Sequence, residues 1–436
     1  MTILGLAEAT VAPLIRALRP NDAELDRDAI AERFARAAWG VIAEPGDRDA
    51  GHLVATLGAE ASIAALTAVP WPPLDPERPD VGPLESALAE VGDEQLSHGD
   101  VVDAVKRWRS RVSAPSVLLA LRQGARFGAS LLVPDDADWP TGVDELGEHA
   151  PHALWARGDR AILGRLERSI AIVGARAATG YGEHVTVEAS SGLVDRGFTI
   201  VSGAAYGIDG IAHRAALATA GATVAFLAGG VDRFYPAGHE ALLMRIVERG
   251  VVVSEVPPGT APTKWRFLQR NRLIAAASRA TVVVEAGWRS GSLNTASHAA
   301  QLGRPIGAVP GPVTSAASAG CHKLLREGLA ICVTGPDEMA ELVMDTATDE
   351  RRVTPVPAAS SAPISPAIDP TGTRVRLLDA LSERSGRSVA RLAEYSGLAP
   401  DRVRAELGLL ELEGIVHERP TGWMKFSVKQ LEARRG

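Results

Sequence analysis

The residues best suited to chemistry lie between Glu255 and Glu285, a stretch with no acidic group that carries Lys264, Arg266, Arg270, Arg272 and Arg279. Trp265 and Phe267 are interleaved with the first of these cations. That mixture suits single-stranded nucleic acid, because unstacked bases lie on flat rings while guanidinium groups hold phosphates. It equally suits a helix whose arginines pair with acids elsewhere and whose rings are core. The strip alone leaves both readings open. A second set of candidates is the small-residue turns Gly174-Ala175-Arg176, Ser202-Gly203, Gly229-Gly230, Ser254-Glu255, Ser290-Gly291-Ser292 and Pro310-Gly311. Without bulky side chains, backbone N–H groups approach an anion closely, and a helix starting just beyond adds its positive end. Any one such turn is also an ordinary strand-to-helix connection. Several on one rim favour a binding surface.

The elements that must position these turns are legible as short apolar runs: IAIVG from Ile170, then FTIVSG, TVAFLAGG, VVVSE, TVVVEA, PIGAVPG and AICVTG, each separated by room for one helix. Strands alternating with helices predict a parallel sheet. Near-continuous apolar strands such as residues 281–284 predict burial on both faces. Right-handed crossovers then give an open, doubly wound, Rossmann-like α/β core whose ligands sit at the carboxyl ends of the strands.

Upstream, residues 26–66 carry Ile30, Phe34, Ala37, Ala38, Leu53, Val54 and Leu57 at helical spacing around a Pro45-Gly46 turn, which predicts a small helical module. VPWPPLDPERP (69–79) reads as a break or long loop. Residues 346–372 hold five prolines and no aromatic, the composition of a linker. Beyond it, helices over 375–382, 388–395 and 401–413 precede IVHERP, a Thr421-Gly422 turn and WMKFSV, the order of a winged helix. Arg402 and Arg404 sit early in its third helix, where duplex-reading helices place contacts. Glu406, Glu411 and Glu413 share that helix, so duplex contact and protein contact both remain open. The expected division is a helical region 1–110, a core 111–345, a linker 346–372 and a winged helix 373–436.

Composition bounds the function. The 436 residues are 46% hydrophobic, enough for a sizeable core, and 46 basic against 53 acidic groups give a net charge of −7, so any polyanion site must be local. Residues 1–110 hold 10 basic and 19 acidic groups, whereas 371–436 hold 12 and 9. Two cysteines, Cys321 and Cys332, both expected to be buried, exclude a disulfide framework and a four-thiolate zinc site and suit a reducing cytoplasm. Residues 1–19 contain Glu8 and no basic lead, so no signal peptide is expected, and no 18-residue apolar run predicts a membrane span.

Two nucleotide motifs fail. GARAATGYGEH has Gly174, Gly180 and Gly182 but not the G-x-G-x-x-G spacing of a dinucleotide turn. No G-x-x-x-x-G-K-[ST] loop exists, and the five lysines of the chain offer no P-loop candidate. No cofactor is expected. Asp209 and His213, four residues apart, read either as an acid/base pair or, with no nucleophile evident, as a helix cap with the imidazole packed against it.

The ordered set VGAR (173–176), SGAAYGID (202–209), AH (212–213), GGVDRFYP (229–236), SEVPPG (254–259), FLQRNRLIA (267–275), EAGWRSGSLNTA (285–296), VPGP (309–312) and GCHKLL (320–325) resembles the DNA-processing DprA/Smf family over residues 131–344. The resemblance implies a Rossmann-like core that binds single-stranded DNA, dimerises and loads the recombinase RecA in natural transformation, with no established catalysis. It also implies a SAM-like helical domain before the core, and in some members a winged-helix tail. Arg176 matches the family's first-turn arginine, Ser202 and Gly203 its second anion turn, and Arg270 and Arg272 its RNR pair. With the strip and turns above, the expected DNA-binding set is Arg176, Ser202, Gly203, Lys264, Arg266, Phe267, Arg270, Arg272, Ser290, Gly291 and Ser292. Departures at Ala205, His239, Leu268, Asn294 and His322 leave the charged and turn positions intact; Leu268 bears on the backbone beside Arg270.

Two rival functions follow from the same elements. A phosphoribohydrolase-like enzyme needs PGG-x-GT-x-x-E, of which PGPVTS (310–315) lacks the second glycine and the glutamate. A transcription regulator would use the winged helix on duplex DNA.

Overall fold

The computed structural model describes residues 2–19, 25–71, 73, 79–93, 95–348, 372–427 and 430. A short ribbon of β1 (Thr2–Ile3) and β2 (Leu6–Ala7) leads into α1 (Glu8–Ala17). α2 (Arg27–Ile42) and α3 (Arg48–Leu57) begin on Asp26 and Asp47, whose carboxylates accept the N–H groups of Ala29 and Ala50. Those caps satisfy amides that the first helical turn leaves without partners. α4 (Ala59–Ala68), α5 (Gly82–Glu90), α6 (His98–Trp108) and α7 (Ala114–Arg126) complete the helical layer, which continues past residue 110. Much of the proline-rich stretch 69–79 lies outside the described residues.

The core then alternates: β3 (Ser130–Leu132), β4 (Leu154–Gly158), β5 (Ser169–Val173), α8 (Gly180–Asp195), β6 (Thr199–Ser202), α9 (Ile208–Ala218), β7 (Thr223–Phe226), α10 (Glu240–Arg249), β8 (Val251–Ser254), α11 (Lys264–Ala277), β9 (Ala280–Val283), α12 (Ser292–Gln301), β10 (Ile306–Ala308), α13 (Ala319–Arg326), β11 (Ile331–Cys332) and α14 (Pro336–Thr348). They form one nine-stranded sheet ordered β11-β10-β9-β5-β6-β7-β8-β4-β3. The strands from β5 to β11 pair in parallel, and β3 and β4 extend the β8 edge antiparallel. The fold is the doubly wound, mainly parallel α/β core that the apolar runs predict. Its strand order reverses between β5 and β9.

The antiparallel pair was not legible as strands. Leu131, Trp155 and Ala156 lie in short segments flanked by polar turns; β3 pairs with β4, and β4 joins the sheet only through β8, about a hundred residues away in sequence. Leu131 and Trp155 pack into the core shared with Trp39, Ile63 and Trp108 of the helical layer. Cys321 is buried as expected, but Cys332 is exposed because it ends a two-residue strand on the open edge of the sheet.

The C-terminal unit is a winged helix: α15 (Thr373–Ala380), α16 (Val389–Ser396), α17 (Pro400–Leu412), β12 (Val416–Arg419) and β13 (Gly422–Lys425). Leu377, Leu392, Val403, Leu407, Leu410 and Val416 give it a hydrophobic core of its own. Of the expected linker, residues 346–348 belong to α14 and residues 349–371 lie outside the described residues. Among the described residues, no helix is long and apolar enough to cross a membrane and no His/Cys/Asp/Glu cluster has metal-holding geometry.

Candidate nucleic-acid interface

The basic strip becomes α11, and the acids packed around the helix divide its cations between an open face and a clamped one. Thr263 caps the helix by accepting the N–H of Arg266. Lys264, Phe267 and Asn271 then lie three and four residues apart on one side. Lys264 is exposed, and Phe267, half-buried, is the centre of the cluster that follows. The Arg176 guanidinium lies over its ring at 5.2 Å and that of Arg270 at 5.7 Å, while the Tyr235 ring is 5.5 Å away. Arg176 comes from the turn after β5, Tyr235 from the loop after β7, and Arg270 from α11 itself. A partly exposed ring with two cations and a second ring nearby, at the carboxyl rim of a parallel sheet, is an environment for stacked bases and phosphates.

Arg270 is buried, and its Nη1 donates to Gly203 O at 2.7 Å and Phe226 O at 2.5 Å. It thereby ties the ends of β6 and β7 to α11. Burial brings its guanidinium down to about 10; the Asp209 carboxylate opposes that fall and the Arg176 charge adds to it, so the group remains charged at neutral pH. Gly203 is required here by close approach, since a Cβ would run into the Arg270 guanidinium. Gly207, at φ 74°, passes so near the carbonyls of Ala175 and Arg176 that only glycine fits, and the N–H of Ile208 donates to Ala175 O at 3.2 Å. The turn bearing Arg176 is thus held by the turn after β6.

The other face of the strip is occupied from within the chain. Arg272, 3% exposed, forms a two-pronged pair with Glu255 at 2.7 and 2.8 Å, and its Nε donates to His149 O. Glu255 also accepts the N–H of Gly46 in the turn between α2 and α3. Arg266 grips Glu44 through Nε and Nη2 at 3.2 and 2.9 Å, and Arg111 joins them at 2.9 Å. Burial alone would raise the Glu44 carboxyl, but Arg266 and Arg111 outweigh it and hold the group at about 2. Arg266 and Arg272 were expected to hold phosphates; here both guanidiniums are engaged by acids, and they clamp α11 to the N-terminal helices. Trp265, read as a stacking face, lies beneath the winged helix, with the Arg376 guanidinium 5.5 Å from its ring.

The expected anion turns differ among themselves. The Ser202 hydroxyl is buried and donates to Ile172 O at 2.7 Å, which fastens β6 to β5. Ser290 and Ser292 hydrogen-bond each other at 2.8 Å, Gly291 is exposed, and Asn271 reaches Gly291 O and Asn294, so the start of α12 adjoins the Phe267 face. At the strand-order reversal, where doubly wound folds receive nucleotide phosphates, the chain supplies its own anion. Glu285, 1% exposed, accepts the N–H and hydroxyl of Thr179 at 3.0 and 2.5 Å at the start of α8.

Asp209 and His213 form neither the acid/base pair nor the cap. Asp209 accepts the N–H of Gly203, and burial raises its carboxyl against the pull of Arg270. His213 bonds Thr223 at 2.7 Å, and burial lowers its imidazole to about 3. Tyr206 and Tyr235, 48% and 49% exposed at this rim, escaped the sequence reading although both lie within the quoted SGAAYGID and GGVDRFYP runs. Large aromatics in the loops that follow strand ends are the signal that would have singled them out.

The family model for DNA recombination-mediator protein A matches residues 130–344, and that for the DprA winged helix domain matches residues 359–422. The chain is 44% identical over 360 residues to a DprA-type DNA processing protein of Mycobacterium tuberculosis, covering 79% of this chain and 87% of that one. It is 35% identical to protein Smf of Escherichia coli, over 63% of this chain and 72% of the relative. Among solved structures it resembles DNA processing protein A from Streptococcus pneumoniae, at 31% identity and a TM-score of 0.48, covering 64% of this chain and 96% of that one. It also resembles DNA processing protein A from Helicobacter pylori, at 28% identity and a TM-score of 0.46 over 50% and 96% of the two chains; that structure concerns a single-stranded DNA binding mode.

Proposed function

The chain belongs to the DprA/Smf family of DNA-processing proteins, and from that premise we propose that it binds single-stranded DNA, protects incoming strands and loads the recombinase RecA onto them. The observation that carries this reading is the half-buried Phe267 ring on the sheet rim, with the Arg176 and Arg270 guanidiniums and the Tyr235 ring all within 6 Å of it. Arg176 is exposed and so is free to meet a phosphate, while Arg270 keeps the platform in shape and contributes its charge from below. Lys264 and the Ser290-Gly291-Ser292 turn lie up and down the same face of α11 and would extend the track along the strand's backbone. Base edges are not read by such a surface, so binding is without strong sequence preference.

Within this reading the protein acts by binding, with RecA and a second copy of the chain as partners, and it uses no cofactor. The Glu285 carboxylate at the start of α8 supports a core that does not hold a nucleotide at the strand-order reversal. The test is affinity for labelled dT oligomers and for duplex of matched length across a salt series. A steep loss of dT binding with salt and weaker duplex binding are expected; equal affinity for duplex would favour the transcription-regulator reading instead. RecA filament assembly on strands precoated with the protein checks the loading step.

A further inference from the structure

The winged helix is seated where the nucleic-acid face of α11 begins. The N–H of Trp265, in the first turn of α11, donates to the Asp379 carboxylate of α15 at 3.1 Å. The Trp265 ring is covered by Arg376 and by Gly372, where a Cβ would run into it. The Trp265 indole N–H is buried without a hydrogen-bond partner among the described residues. A helix start presents unpaired N–H groups and partial positive charge, and the anion seated there is a carboxylate from another folding unit.

The docking uses the corner by which a winged helix would approach duplex. Gly397, in the turn between α16 and α17, packs on Glu44 and Arg111, and Asp401 in the first turn of α17 pairs with Lys106 of α6 at 3.3 Å. Contact is polar and incomplete: a cavity of about 780 Å³ remains at the junction, lined by Arg111, Arg233, Arg266, Arg376 and Tyr395 among others. A charged, incompletely filled interface between units with separate cores is the kind that opens and closes.

We propose that the winged helix is an internal competitor of the DNA strand. Docked, it puts the Asp379 carboxylate where a phosphate would meet the start of α11, and the Arg376 guanidinium on the ring where a base would stack. A strand running along α11 from Phe267 past Lys264 meets this obstruction next, so full engagement requires the winged helix to leave. The same departure frees the Gly397–Asp401 corner. This inference rests on the single-strand reading above and adds its regulation.

The test uses the full chain and two readouts, hydrogen exchange at the Trp265 amide for docking and dT-oligomer affinity for competition. Asp379→Ala and Asp401→Lys should each speed the exchange and raise affinity about three- to tenfold, since a site blocked in about nine molecules of ten loses about tenfold in apparent affinity. The charge swap Lys106→Asp with Asp401→Lys should restore both toward the starting values. Glu411→Ala, which removes one negative charge from the exposed side of α17, should change neither. Faster exchange with unchanged or weaker affinity would overturn the proposal, as would an affinity gain equal to that of Glu411→Ala. If no variant and no parent protein binds dT at all, it is the single-strand reading that fails, while the exchange data still report the docking.

Discussion

The two faces of α11 carry the same residue types in different surroundings. On one, Phe267 has the Arg176 and Arg270 guanidiniums and the exposed Tyr235 close to its ring, with Lys264 in solvent at its end. On the other, Arg266 and Arg272 are taken up by Glu44 and Glu255. A guanidinium with two carboxylate bonds has little left to offer a phosphate, whereas one resting on a ring still has its donors in water. Burial and the position of acids, rather than the density of arginines, decide which cations of a basic strip are left with donors to offer. The comparison breaks if variants on the two faces behave alike.

The largest effect is expected on the clamped face. Arg272→Ala leaves Glu255 uncompensated in a largely buried site and should destabilise the fold by about 3–5 kcal/mol, read as a lower melting temperature. The molecules that remain folded should keep the dT affinity and salt slope of the parent. Next is the open face: Phe267→Ala should cost about 1–3 kcal/mol of dT binding with the salt slope unchanged, because a stacking surface is lost and no charge is. Tyr235→Ala should act in the same direction by less, the ring being a neighbour of the platform rather than its centre.

A pH series sharpens the clamped face further. Glu44 is held at about 2 by Arg266 and Arg111, against an ordinary value of 4.5. A carboxyl whose folded value is depressed contributes stability that is present above its unfolded value and is lost as pH falls through the folded one. Urea unfolding of the parent and of Glu44→Gln should therefore differ at pH 7, by the same amount down to about pH 4.5, and converge as the pH drops from there toward 2. A difference that vanished between pH 7 and 5 would remove Glu44 from the clamp.

How much of this was legible in the sequence follows from where the partners lie. The alternation of apolar runs and helical spacers gave the parallel sheet, and the order of helices and hairpin gave the winged helix, because those patterns are local. The antiparallel strands β3 and β4 were not, since so short an apolar segment becomes a strand only when β8 and the helical layer bury it. Arg176, Phe267 and Arg270 stood out by type and spacing and come together in the fold. Arg266 and Arg272 looked identical to them, because Glu44 is 222 residues from Arg266, and Glu255, only 17 residues from Arg272, lies on a different element that the fold brings beside it. Glu285 lay in plain sight after a strand, yet its role as the anion at the start of α8 depends on a hydroxyl 106 residues away.

The central claim is that the open face, and not the clamped one, holds the strand's phosphates, and salt dependence of dT binding by Arg176→Ala against Arg272→Ala tests it most directly. A phosphate contact on a single strand contributes a log–log salt slope of about −0.7 through counterion release. Arg176→Ala should weaken binding to every oligomer, shallow the slope by about 0.7 and leave the melting temperature in place, while Arg272→Ala lowers the melting temperature and leaves the affinity and slope of the folded molecules as in the parent. A parent-like slope in Arg176→Ala together with a shallower one in folded Arg272→Ala would contradict the account.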